Sequence, residues 1–108
     1  MTVNELEKNL DLTKLSAGED KEISSCYISD MLSRVMGGCS AGDVWITVQT
    51  SLNMVAVAGL VDASCVILPE NLKVTDEALA KAKEENFTIF STSDSAYVVA
   101  KKIAQIIK

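Results

Sequence analysis

A chain of 108 residues, 48% of them hydrophobic, is long enough for one modest core and too apolar for a disordered tail. Fifteen acids against ten bases leave a net charge of −5, which repels phosphodiester backbones and anionic lipid, so neither nucleic acid nor a membrane surface is an expected partner. The lack of histidine removes Cys–His and Ser–His catalytic pairs, and three cysteines without a C-x-x-C pair read as free thiols of a reducing compartment. With no basic stretch leading into an apolar run at its start, the chain is expected to be cytoplasmic.

In chain order, the first signal is "TVNE", Thr2 to Glu5, a capping box followed by Val3, Leu6 and Leu10 at helical spacing. "EISSCYI" reads as a strand. Ser29 is expected to cap a short helix from Asp30 to Met36 that Gly37 and Gly38 stop, and "AGD" turns the chain into the next strand. Val44 to Val61 then runs for 18 residues without a charge, the length of a candidate membrane span. Gln49, Thr50, Ser51 and Asn53 near its middle would each need a partner inside lipid, and no Lys/Arg cluster flanks it. It divides better into two buried elements. "DVWITVQT" is β-branched and aromatic, as in a strand covered on both faces, and Ser51 caps a helix from Leu52. "ASCVILP" is the following strand, so the order fits a right-handed βαβ unit with parallel strands.

Thr75 caps the next helix, through Glu85, with Asp76 and Glu77 at its positive end, Ala78, Leu79 and Ala82 inward, and Glu77 four residues before Lys81. Asn86 ends it in the left-handed conformation, and "FTIFS" is the last strand. "STSDS" offers caps for a final helix with Ala96, Val99, Ala100, Ile103 and Ile107 as its apolar stripe and Lys101, Lys102 and Lys108 toward its negative end. The expected architecture is a single layered α/β domain over residues 1–108, a small parallel or mixed sheet with helices on both faces. The helix after Ser51 is apolar all round and must be covered all round, which a second subunit would do; a homodimer is expected.

The stretches "YISDMLSRVM" and "GDVWITVQTSLNMVAVAGLVDASCVILPENLKVTDEALAKAKEENFTIFSTSDSAYVVAKKI" resemble the DRTGG domain family over nearly the whole chain. The resemblance implies a fold similar to the N-terminal domain of HPr kinase/phosphorylase. It also implies a regulatory, dimer-forming role without a reaction of its own, acting on a metabolic or redox enzyme. The family's Asp-Arg and Thr-Gly-Gly residues are not kept: Thr50-Ser51 stands in the first loop and Pro69-Glu70-Asn71 in the second. Small stand-alone members occur beside iron–sulfur hydrogenase or ferredoxin-like genes, which makes a hydrogenase-associated redox accessory protein the alternative, with Cys39 as its residue.

Ligands of parallel α/β sheets sit beyond the carboxyl ends of the strands. Those ends read Thr50-Ser51-Asn53, Pro69-Glu70-Asn71 and Ser91-Thr92-Ser93, whose hydroxyls and helix N-termini suit a nucleotide or small anion. The competing reading is plain helix capping, since Glu70 and Asp94 repel an anion and these loops are read as free of Lys and Arg. "MGGCSAGD" lacks the Lys-Ser/Thr ending of a phosphate loop and precedes a strand, so it is a turn. Cys39 within it is the thiol expected to be exposed, with Cys26 and Cys65 as small core residues. Asp43, Asp62, Glu70 and Asp94 lie at element ends, where carboxylates cap or solvate, and Trp45 and Tyr97 are core or interface anchors. No catalytic set, metal or cofactor is expected.

Overall fold

The computed structural model describes residues 1–107. Its elements are α1 (Val3–Asn9), β1 (Thr13–Ser16), β2 (Ser25–Ile28), α2 (Leu32–Gly38), β3 (Asp43–Ile46), α3 (Leu52–Val61), β4 (Cys65–Leu68), α4 (Asp76–Glu84), β5 (Ile89–Ser91) and α5 (Ala96–Ile106). The five strands form one mixed sheet in the order β1-β5-β4-β3-β2, with β2 to β5 parallel and β1 antiparallel to β5. No described helix is long and apolar enough to cross a membrane.

Alternation along each strand builds two cores on one sheet. Trp45, Val66, Leu68 and Ile89 face α2, α3 and α4, whereas Val44, Ile46, Cys65, Ile67 and Phe90 face α1 and α5. Each such side chain removed from water contributes about 1.5–3 kcal/mol, so the uncharged run that mimicked a membrane span is divided between the two faces of one sheet. The apolar stripe of the final helix meets its expectation, with Val99 and Ile103 buried and Ala96, Ala100 and Ile107 packed beside them, but no described base stands in its last turn and Lys102 reaches back to Asp94. Lys108 lies outside the described residues.

Several boundaries differ from the sequence reading, each for a local reason. β1 was not expected: "TKLS" has a weak strand signal, and pairing with β5 creates it, with a bulge between Lys14 and Ser16. Met31, not Ser29, occupies the N-cap of α2, because the Ser29 hydroxyl accepts from the Met31 N–H in a turn before the helix. Gly37 and Gly38 lie inside α2, and the chain leaves it at Cys39. β3 stops at Ile46 because Asp30 captures the next two residues. Its carboxylate accepts from the Thr47 hydroxyl at 3.0 Å and from the Val48 N–H at 2.8 Å. Ser51 does stand at the N-cap of α3, without a side-chain capping bond. Lys81 pairs forward with Glu85 at 2.9 Å and Glu84 at 3.9 Å, not back with Glu77. Thr75, Ser95 and the Thr2–Glu5 capping box act as expected, and Asn86 is left-handed at φ 56°.

Candidate functional site

The carboxyl ends of the parallel strands gather at one end of the sheet, and one place among them is special. The chain leaves β4 for α4 on one face and leaves β5 for α5 on the other. Divergence of neighbouring connections is where open α/β sheets form a crevice. Here backbone bonds draw the two loops together: the Glu70 N–H donates to the Asp94 carbonyl at 2.9 Å and the Asn71 N–H to the Thr92 carbonyl at 2.8 Å. Glu70 and Asn71 have φ of 58° and 56°, and the Leu72 N–H closes the turn onto Pro69 at 3.3 Å. Two consecutive left-handed residues between Pro69 and Leu72 make a type I′ turn, a shape that favours glycine. These are the positions where the resemblance places Gly-Gly. The backbone conformation is present although the glycines are not.

The eight anticipated residues fall into separate places. Asn71 and Ser91 line a groove of about 490 Å³ beside the turn, over β1 and against α4. Its walls are Leu15, Leu72, Val74 and Leu79, with Thr13 and Lys73 completing it. Ser51 and Asn53 line a second cleft of about 210 Å³ with Thr75 and Glu77, between the starts of α3 and α4. The Thr50 carbonyl accepts from the Thr75 N–H at 3.1 Å, and the Thr92 hydroxyl accepts from the Asp94 N–H at 3.2 Å, so both serve the loops. Glu70 and Ser93 point to solvent. The acids at element ends cap or pair as expected: Asp43 accepts from the Ser40 N–H, and Lys102 holds Asp94 at 2.6 Å.

The larger groove has the chemistry of a binding site, with mostly apolar walls and a few polar groups to orient a ligand. Lys73 is the one charged residue of its described lining. The reading that these loops hold no Lys or Arg is corrected: Lys73, two residues past Asn71, belongs to the loop between β4 and α4 and lines the groove. Thr13 and Leu15 escaped the sequence reading because their strand did. Glu77 in the smaller cleft opposes an anion there.

Cys39 is a correction. It is buried at 9% exposure, and burial, followed by the charge of Asp43, pushes its thiol up to about 11. Cys26, expected in the core, is the partly exposed one, raised to about 11 by burial and then by Asp43 and Cys39. Cys65 is fully buried and is raised further, chiefly by burial. Among the described residues no three Cys, Asp or Glu side chains converge into a metal-holding group. Trp45 is a core residue whose indole N–H donates to the Ser29 carbonyl at 2.9 Å, while Tyr97 is 74% exposed.

No protein-family model matches the chain, and no curated protein matches it. Among solved structures, it is similar to the CBS and DRTGG domains of the regulatory region of Clostridium perfringens pyrophosphatase, a structure complexed with the activator diadenosine tetraphosphate. The TM-score is 0.75 and the identity 16%, over 98% of this chain and 47% of that chain. The chain thus spans about half the length of its structural neighbour, and what the two share is a DRTGG-like fold.

Proposed function

We propose that this chain is a non-catalytic regulatory domain of a cytoplasmic homodimer that binds a small anionic ligand, a nucleotide being the leading class, and passes its occupancy to a metabolic or redox enzyme. One observation carries the reading. At the end of a fold shared with a regulatory region complexed with a nucleotide activator, the loop after β4 brings Asn71 and Lys73 beside Ser91 at the end of β5, over apolar walls. An aromatic base suits Leu15, Val74 and Leu79, and an anionic group suits Lys73. The iron–sulfur alternative loses support, because its residue, Cys39, is buried and not exposed in the turn as that reading expected.

The test is a thermal-shift titration of reduced protein with adenine and guanine nucleotides, dinucleoside polyphosphates and acetyl phosphate. A ligand at a hundred times its dissociation constant adds about 2.7 kcal/mol, and each kcal/mol moves the midpoint by roughly 4–8 °C. The expected result is a shift lost in Lys73→Met and weakened in Asn71→Ala but kept in Ser93→Ala. A flat response to every compound, or a shift indifferent to Lys73, rejects the groove.

A further inference from the structure

On the face built by the three consecutive crossover helices, α3 lies between α2 and α4. Its outward stripe of Leu52, Ala56, Gly59 and Leu60 is exposed and carries no charge. Leu60, 71% exposed, is the most exposed aliphatic side chain among the large hydrophobic residues described. It stands at the edge of a groove of about 510 Å³ between α3 and α4, floored by Val55, Ala56 and Phe87. Gly59 lines the groove and faces open space, since a Cβ there would meet nothing within 4 Å.

The rim of the groove is charged in a specific way. It holds two lysines and two carboxylates in pairs, Lys21 with Asp62 at 3.2 Å and Lys81 with Glu85 at 2.9 Å. The chain as a whole carries −5, so most approaches of one copy to another meet like charge. This rim is neutral and contains both signs, so a two-fold axis can set each copy's lysines toward the other's carboxylates.

We propose that two copies of the chain meet on this α3–α4 face across a two-fold axis, each copy's Leu60 seated in the other's groove and Lys81 of each paired with Glu85 of the other. A stable dimer buries about 800 Å² per partner, roughly one seventh of the 5691 Å² surface of this chain and comparable to the largest face of a molecule 32 × 27 × 23 Å, so the contact would take up most of one side. Binding energy concentrates in side chains fully desolvated near the centre of an interface, which is where this arrangement would put Leu60. The inference rests on the homodimeric reading and adds its surface and residues.

Sedimentation velocity at micromolar concentration decides it, with circular dichroism to confirm folding. The wild-type chain is expected to sediment as a dimer. Leu60→Asp, at an exposed position, is expected to keep the fold and weaken the dimer by roughly tenfold or more. Lys81→Glu is expected to weaken it, and Lys81→Glu combined with Glu85→Lys to restore it, while Tyr97→Asp on α5, across the sheet, leaves it intact. A monomeric wild type overturns both this surface and the homodimeric reading. A dimer that survives Leu60→Asp and Lys81→Glu overturns the surface alone and leaves the homodimer standing.

Discussion

Glu70 sits at φ 58° with Asn71 beside it at 56°. Asparagine tolerates the left-handed region through its short polar side chain, but glutamate gains nothing there and its Cβ crowds the following carbonyl, at about 1–2 kcal/mol. Glu70→Gly is therefore expected to stabilise the chain by about 1 kcal/mol in urea unfolding. Glu70→Ala, which removes the charge and keeps the Cβ, is expected to leave stability nearly unchanged; equal gains from both would point to charge, not backbone strain. The thiols make a second residue-scale case. Cys26 and Cys39 are raised from 9.0 to about 11, so between those values the folded chain binds more protons than the unfolded one. Their contribution to stability is fully present below pH 9 and is lost as pH rises through about 11. At pH 8 the same rise cuts the thiolate fraction about a hundredfold, and the higher nucleophilicity of a more basic thiolate recovers about tenfold of that. An aromatic disulfide reagent is thus expected to react about tenfold more slowly with native Cys26 than with the unfolded chain. Equal rates would show that the burial of Cys26 does not protect it.

At the scale of elements, periodicity and caps made most of the fold legible. β3 and β4 are buried at every position, including Asp43 at the start of β3, and Thr75 and Ser95 cap the helices they precede. β1 was illegible because its stability is not local: Thr13 and Lys14 are exposed, and the strand pairing comes from β5, distant in sequence. The groove was half legible for the same reason. Asn71 and Ser91 come from a rule about strand ends, and Lys73 lies two residues past Asn71 in the same loop, whereas Thr13 and Leu15 join them only through the pairing of β1 with β5. Cys39 was misplaced because a thiol in a glycine-rich turn looks exposed until Val35, Trp45 and their neighbours close over it. The clamp that holds β1 is specific. Gly18 donates its N–H to the Thr88 hydroxyl at 3.0 Å, and a Cβ there would strike the Asn86 carbonyl oxygen and come within 2.5 Å of the Phe87 carbonyl carbon. Backbone cannot rotate out of the way, so Gly18→Ala is expected to destabilise by about 1–3 kcal/mol. Gly37→Ala, inside α2 with nothing within 4 Å of its Cβ, is expected to stabilise by about 0.5–1 kcal/mol. Urea midpoints of opposite sign test both; a neutral Gly18→Ala would mean that β1 docks loosely.

For the whole molecule, the question is whether two cores make one folding unit. Each of the central strands feeds both: Val44 and Ile46 pack under α1 and α5, while Trp45 between them packs under α2, α3 and α4. The first helix and the last close the same face, so that cluster needs both ends of the described chain, and the cluster on the other face shares its central strands. We expect a single cooperative transition, which would make residues 1–108 one domain. Trp45 is the lone tryptophan and is fully buried, so its fluorescence reports the α2–α4 side, whereas far-ultraviolet circular dichroism reports all the helices. Phe90, fully buried on the opposite side, provides the decisive variant. Phe90→Ala removes a large side chain from the α1–α5 core at about 3–5 kcal/mol. In one cooperative unit that loss moves the fluorescence and dichroism transitions together to the same lower urea midpoint, although Phe90 and Trp45 belong to different clusters. If the two layers melt separately, Trp45 keeps its wild-type midpoint while part of the dichroism falls early, and the sheet is then a seam between two units instead of the wall they share.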